Sequence, residues 1–199
     1  MFTYAYSRTL ELPGAGAHPQ GHSSTRHGRA PNEERNVTDN LGSLRRDDNF
    51  WSIRYDRTYD VRAEELWFAL TDVARISEWM LTEAMDFDPR VGGSVHYFWG
   101  GTDESKGTIS VFDAPRTLEY SWNEGASTSM VRFELAENAD QTALTLHHDK
   151  ITSDDIRGIA AGWHTHLEIL QALFSGEEVA FQPRFDALTP IYDEIIERT

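Results

Sequence analysis

The sequence predicts an α+β fold: a curved antiparallel sheet of about six to seven strands wrapped on a long C-terminal helix, with two short helices after the first strand. Three observations carry this. From Trp51 to His148, apolar and polar residues alternate in runs separated by Gly, Asn, Asp and Pro turns, the period of half-buried strands. From Ile156 to Phe174 the period changes to three and four residues, that of an amphipathic helix. All six Trp lie at or after Trp51, so the core is built by the later three quarters of the chain.

Taken in order, Trp51, Ile53 and Tyr55 alternate in a first strand. Ala63 to Leu70 has acids at its start, favourable at a helix N-terminus, and Leu66, Trp67 and Leu70 share a face; a second short helix includes Val73 to Trp79. Met85 and Phe87 alternate up to Pro89. After Gly92-Gly93, Val95, Tyr97 and Trp99 share one face. Gly100-Gly101-Thr-Asp signals a hairpin into Ile109 and Val111, and Asp113-Ala-Pro115 turns into Leu118, Tyr120 and Trp122. Asn123-Glu-Gly125 leads to Val131, Phe133 and Leu135, and Asn138-Ala-Asp140 to Leu144, Leu146 and His148. Strands joined by such short turns pair antiparallel. Thr152-Ser-Asp-Asp155 offers a cap for the long helix, Gly176 a stop, and Thr189-Pro190 the start of a short final helix. One face of the sheet needs cover, and only the helix near 153–175 is long enough to provide it.

The 199 residues suffice for one domain and a tail. Residues 13–49 are rich in Gly, Pro, Ser, Asn and Arg without periodicity, while 2–12 alternate weakly. We expect a disordered tail over 1–49, the folded domain over 50–176 and an extension with a short helix over 177–199. Six Arg and six acids cancel in the first 49 residues, so the net charge of −15 belongs to residues 50–199. Such a domain repels phosphate backbones and anionic membranes, which excludes general nucleic-acid binding. The absence of cysteine excludes disulfides, thiolate metal sites and thiol catalysis. There is no membrane-length apolar run, hence no membrane insertion, and no signal-peptide pattern at Met1–Arg8; a cytoplasmic protein is expected. No nucleophile elbow, phosphate loop or dinucleotide fingerprint occurs.

Several segments, in this order, resemble the START-like (SRPBCC) superfamily, and within it the bacterial branch related to the C-terminal domain of the activator of Hsp90 ATPase. They are Glu64-Glu-Leu-Trp67-Phe-Ala-Leu-Thr71, Trp79-Met80, Val91-Gly-Gly93, the stretch from Gly107 to Trp122 ending Leu-x-Tyr-x-Trp, Thr142-Ala-Leu-Thr-Leu-His-His148, and Gly162-Trp163 with Leu167 and Leu170. The resemblance covers about residues 51–175. It departs at Ala63, where the family often has Pro shortly before the helix. It implies a helix-grip fold with a deep apolar pocket for a hydrophobic small molecule. Nothing in residues 1–49 resembles the Hsp90-binding domain of the eukaryotic co-chaperone, so Hsp90 is not an expected partner. A homodimer is left open.

Alternation points Tyr97, Trp99, Ile109, Val111, Tyr120, Trp122, Phe133, Leu146 and His148 inward, opposite Trp163 and Leu167, with Trp79, Met80 and Met85 at the mouth. Aromatic rings with a few polar tips suit a flat apolar ligand, and they equally suit a filled core. His148 is the acid–base candidate, or the group that orients a ligand's polar end. Asp149 points to the opposite face and makes a poor partner for it. Neither His147-His148 nor His164-x-His166 makes a two-ligand metal unit, since each pair diverges; no metal or other cofactor is expected. Ser127-Thr-Ser129 reads as a strand start. Three functions follow: binding of a hydrophobic or aromatic small molecule, a cyclase- or hydrolase-type enzyme using His148, or a co-chaperone-like interaction module using the acidic surface.

Overall fold

A computed structural model describes residues 40–199 apart from Glu124 and Ala126. The weak strand expected over 2–12 and the tail through residue 39 lie outside the described residues. Among these, the strands are β1 (Ser43–Arg46), β2 (Trp51–Tyr59), β3 (Ala84–Phe87), β4 (Ser94–Gly100), β5 (Asp103–Asp113), β6 (Thr117–Trp122), β7 (Ser129–Asn138) and β8 (Gln141–Ile151). The helices are α1 (Ala63–Thr71), α2 (Val73–Met80), α3 (Ile156–Ser175) and α4 (Phe181–Arg198). The strands form one antiparallel sheet in the order β1-β2-β8-β7-β6-β5-β4-β3. From β2 the chain crosses through α1 and α2 to the far edge at β3. It then meanders back to β8, which pairs with β2 over Tyr55↔Leu146 and Tyr59↔Thr142.

The inward faces follow the alternation. Trp51, Ile53, Tyr55 and Tyr59 are buried on β2, as are Val95, Tyr97 and Trp99 on β4, Leu118, Tyr120 and Trp122 on β6, Val131, Phe133 and Leu135 on β7, and Leu144, Leu146 and His148 on β8. Close backbone approaches explain two of the glycines. A Cβ at Gly107 would stand 1.7 Å from the Ser121 carbonyl oxygen, and one at Gly93 2.0 Å from that of Asp88. No rotamer change relieves a clash with backbone, so both bends of the sheet require glycine.

The structure corrects four expectations. The sheet has eight strands, because Ser43–Arg46, placed by sequence in the tail, pairs as β1 with Trp51–Arg54. Its short polar run lacks an alternation signal, and it is an edge strand held by β2. Val111 is only half-buried: a bulge between Ile109 and Val111 shifts the register and brings Phe112 against Trp67 and Phe87. The final helix is not short. α4 spans 18 residues with Pro190 inside it, and its inward side carries Phe181, Phe185, Leu188, Tyr192 and Ile195 at helical spacing. Finally, α3 does not bury a single face. Ala160 through Leu167 are all buried, because the sheet covers one side and α2 and α4 cover the others.

Candidate functional site

Helix α2 organises the mouth of the grip. An α-helix ends with carbonyl oxygens that have no partner within the helix. Those of Trp79 and Met80 are satisfied from outside: His166 Nδ1 lies 2.9 Å from the Trp79 oxygen, and Trp99 Nε1 donates to the Met80 oxygen at 2.9 Å. A carbonyl only accepts, so His166 carries its proton on Nδ1 and presents a lone pair at Nε2. The backbone of α2 thereby orients one ring from α3 and one from β4.

These rings open onto two small cavities. An outer one of about 80 Å³ lies between the β4–β5 hairpin, the end of β6 and the start of α3. An inner one of about 20 Å³ lies behind it, against Met80, Gly162, Trp163 and His166. Trp99, Trp122 and Ile159 line both and separate them. Gly158 and Gly162, one helical turn apart, leave the α3 surface bare along this line. Trp99 and Trp122 stand 6.0 Å apart between centroids, and Trp122 stands 5.5 Å from Trp163.

Of the residues singled out by sequence, Trp99, Trp122, Trp163 and Met80 meet at these cavities. Tyr97, Ile109, Tyr120, Phe133, Leu146 and Leu167 are packed in the solid core behind them. Tyr97 and Tyr120 join hydroxyls at 2.9 Å, and burial pushes both phenols up, so they stay neutral. Trp79 is buried with its indole donating to the Ala69 carbonyl. Met85 is half-buried on β3, opposite Tyr97 in register. The expected deep chamber is therefore mostly filled with aromatic rings.

His148, the acid–base candidate of the sequence reading, is enclosed by the protein. It is fully buried, and both ring nitrogens have protein partners. Trp163 Nε1 donates to Nδ1 at 2.8 Å, and Nε2 lies 2.7 Å from Ser129 Oγ. Because the indole can only donate, the imidazole proton sits on Nε2 and is directed at the serine. A serine nucleophile needs the reverse, a lone pair at the nitrogen facing it and an acid behind. Burial also holds the His148 pKa down to about 3.

His166 is the residue the sequence reading missed. It is 4% exposed, lines the inner cavity, and its Nε2 hydrogen-bonds to no described residue. Burial, against the opposing Trp79 carbonyl, lowers its pKa to about 4. Trp122 is its complement: among the four indoles at this end, Trp79, Trp99 and Trp163 donate to protein acceptors, whereas Trp122 Nε1 has no described partner. The only advance signal was Gly162-x-x-x-His166, a bare turn followed by a polar residue on the same helix face.

His164 and His166 diverge as expected, and His96 stands apart from both. His96 meets Glu104 outside the sheet at 2.9 Å, and His164 faces α4. Among the described residues no three His, Asp or Glu side chains converge as a metal site, and no helix is long and apolar enough to cross a membrane.

The model of the family described as "Activator of Hsp90 ATPase homolog 1-like protein" matches residues 60–175. The chain belongs to this family. Among solved structures, it is similar to CalU16 from Micromonospora echinospora, at 25% identity and a TM-score of 0.62, over 80% of this chain and 98% of that one. It shares its fold with EF2215 from Enterococcus faecalis, titled a conserved protein of unknown function (17% identity, TM-score 0.68, 79% and 91% covered). It also shares it with PFC0360w, titled an Hsp90 activator from Plasmodium falciparum (20%, TM-score 0.55, 62% and 96%). No curated protein matches. The helix-grip architecture and the START-like resemblance are thus established for this AHSA1-like domain.

Proposed function

We propose that this domain binds a small hydrophobic or aromatic molecule at the mouth of the grip, between Trp99, Trp122 and the glycine line of α3. The observation that carries this is the convergence on these cavities of two side chains, His166 and Trp122, whose Nε2 and Nε1 no described residue meets. Buried polar groups are normally paired, and a ligand that offers one donor and one acceptor would pair both. The cavities are smaller than the roughly 300 Å³ of an ordinary ligand pocket, so only part of a molecule enters until Trp99, Trp122 or Ile159 turns and joins them. The Ser129–His148 tautomer takes away the candidate for hydrolase chemistry. Binding without turnover is the reading that remains best supported.

Titration with a panel of small neutral aromatics, such as benzyl alcohol and indole, should shift the Trp122 indole and His166 ring NMR signals saturably. Ile159→Trp, and the milder Ile159→Phe, should abolish the shifts by filling the cavities. A panel that leaves both signals still, or filled variants that bind as well as the native chain, would sink the proposal.

A further inference from the structure

We propose that the molecule taken up at this mouth carries a hydroxyl on an aromatic ring, and that the hydroxyl enters the inner cavity beside His166. The inference rests on the binding reading above and names its ligand class. The inner cavity, about 20 Å³, has room for one water-sized group. Its polar side chains are His166 and three indoles, and Met80, Ile159 and Gly162 complete the lining. The indoles of Trp99 and Trp163 are spent on the Met80 carbonyl and on His148. His166 Nε2 and Trp122 Nε1 meet no described residue, and His166 is more than nine-tenths buried.

These two atoms have opposite needs. The Trp79 carbonyl holds the His166 proton on Nδ1 at 2.9 Å, so Nε2 can only accept. Burial keeps the ring neutral at pH 7, so no second proton reverses this. An indole nitrogen can only donate. In a space for one polar atom, that atom must therefore donate to His166 and accept from Trp122. An ether, a carbonyl or a carboxylate oxygen has no proton for His166, and an ammonium has no lone pair for Trp122. A hydroxyl has both. The rest of the molecule lies across Ile159 in the outer cavity of about 80 Å³, where Trp99 and Trp122 continue as walls. Gly158 and Gly162 leave the α3 side of this path without side chains, and a flat ring gains contacts with the indoles that an alkyl chain does not.

Phenol, anisole and toluene test this, titrated into the full chain at pH 7 with the His166 ring nitrogens followed by NMR. Phenol should bind about tenfold more tightly than anisole or toluene, the worth of pairing a buried acceptor. In the native chain the Nε2 signal should move as phenol saturates and stay nearly still with the other two. In His166→Phe the three should bind alike. If phenol binds no more tightly than anisole, if Nε2 stays still as phenol saturates, or if the advantage survives in His166→Phe, the hydroxyl class is overturned; the inner cavity then holds water only and the aromatic site stands. If none of the three binds, both readings fall.

Discussion

His164 and His166 stand two residues apart on α3 and live in opposite surroundings. His164 looks toward α4. Its Nδ1 lies 2.9 Å from Tyr192 Oη, which also accepts the Gly42 N–H at 2.9 Å, and its Nε2 stands 3.3 Å from Glu168 Oε1 without hydrogen-bond alignment. Glu168 in turn receives both Arg184 nitrogens at 2.6 and 2.7 Å. One network therefore ties α3, α4 and the residue leading into β1. His166 looks toward the mouth, where α2 holds one nitrogen and a cavity faces the other. Two identical side chains, 200° apart on the helix, differ in role because α4 covers one face and nothing described fills the other. His164 is held within an ion-pair network against α4 that still leaves its Nε2 without an aligned hydrogen bond, whereas His166 has one nitrogen bonded to α2 and borders a cavity.

The sharpest way to break this contrast is to open the closed side. Arg184→Ala strands a largely buried Glu168 carboxylate, and loss of one partner from such a pair costs about 3 kcal/mol. Urea unfolding should show this loss. A variant as stable as the native chain would mean that the α4 network is ornamental.

Acid separates the two sides through different groups. On the mouth side, His148 and His166 are held neutral in the fold, with pKa values of about 3 and about 4. The unfolded chain takes up their protons near pH 6.5, so the stability they confer is full above 6.5 and lost as pH falls toward 4 and 3. On the α4 side, burial alone would raise Glu168, but the His164 and Arg184 groups facing it outweigh this and hold it at about 2. Its contribution is full above about 4.5 and lost only between there and about 2. Denaturant titrations at pH 7 and 4.5 should therefore report the histidines: His166→Phe should narrow the gap between the two pH values by about 2–3 kcal/mol. An unchanged gap would show that His166 is not the buried neutral group described.

The smallest effect concerns the buried pair behind the cavities. Ser129→Ala removes one hydrogen bond to His148 and should cost about 1 kcal/mol. It should leave ligand titration unaltered, and Ser129 should resist a serine-directed fluorophosphonate. Labelling at Ser129 would reinstate the enzyme reading.

Much of the fold was legible because each strand buries one face and the period of two survives in the residues themselves. Tyr97, Trp99, Tyr120, Trp122, Phe133 and Leu146 were placed inward correctly for that reason. Arg57 shows the limit: it sits at an inward position of β2, 8% exposed, with its guanidinium 5.2 Å over the Tyr55 ring, where alternation calls for an apolar residue. α4 was shortened because Pro190 reads as a helix start, although Phe181, Leu188 and Tyr192 already carried the helical spacing. The site was less legible than the fold. His148 looked like the functional histidine because it ends an inward run, yet which partner meets each ring nitrogen depends on α3 and β7, far away in the chain.

Local pattern, then, was enough for the strands, the turns at Gly92-Gly93 and Gly100-Gly101, the closing helix and the acidic charge of the domain, since each follows from periodicity or composition within a short window. Tertiary structure alone decided that His148 is satisfied and His166 is not, that the chamber is filled except at its mouth, and that Asp103 and Asp154 stand beside Trp99 and Trp122. Those outcomes depend on which carbonyl, indole or empty space a distant element brings to a side chain, and no window of sequence contains that information.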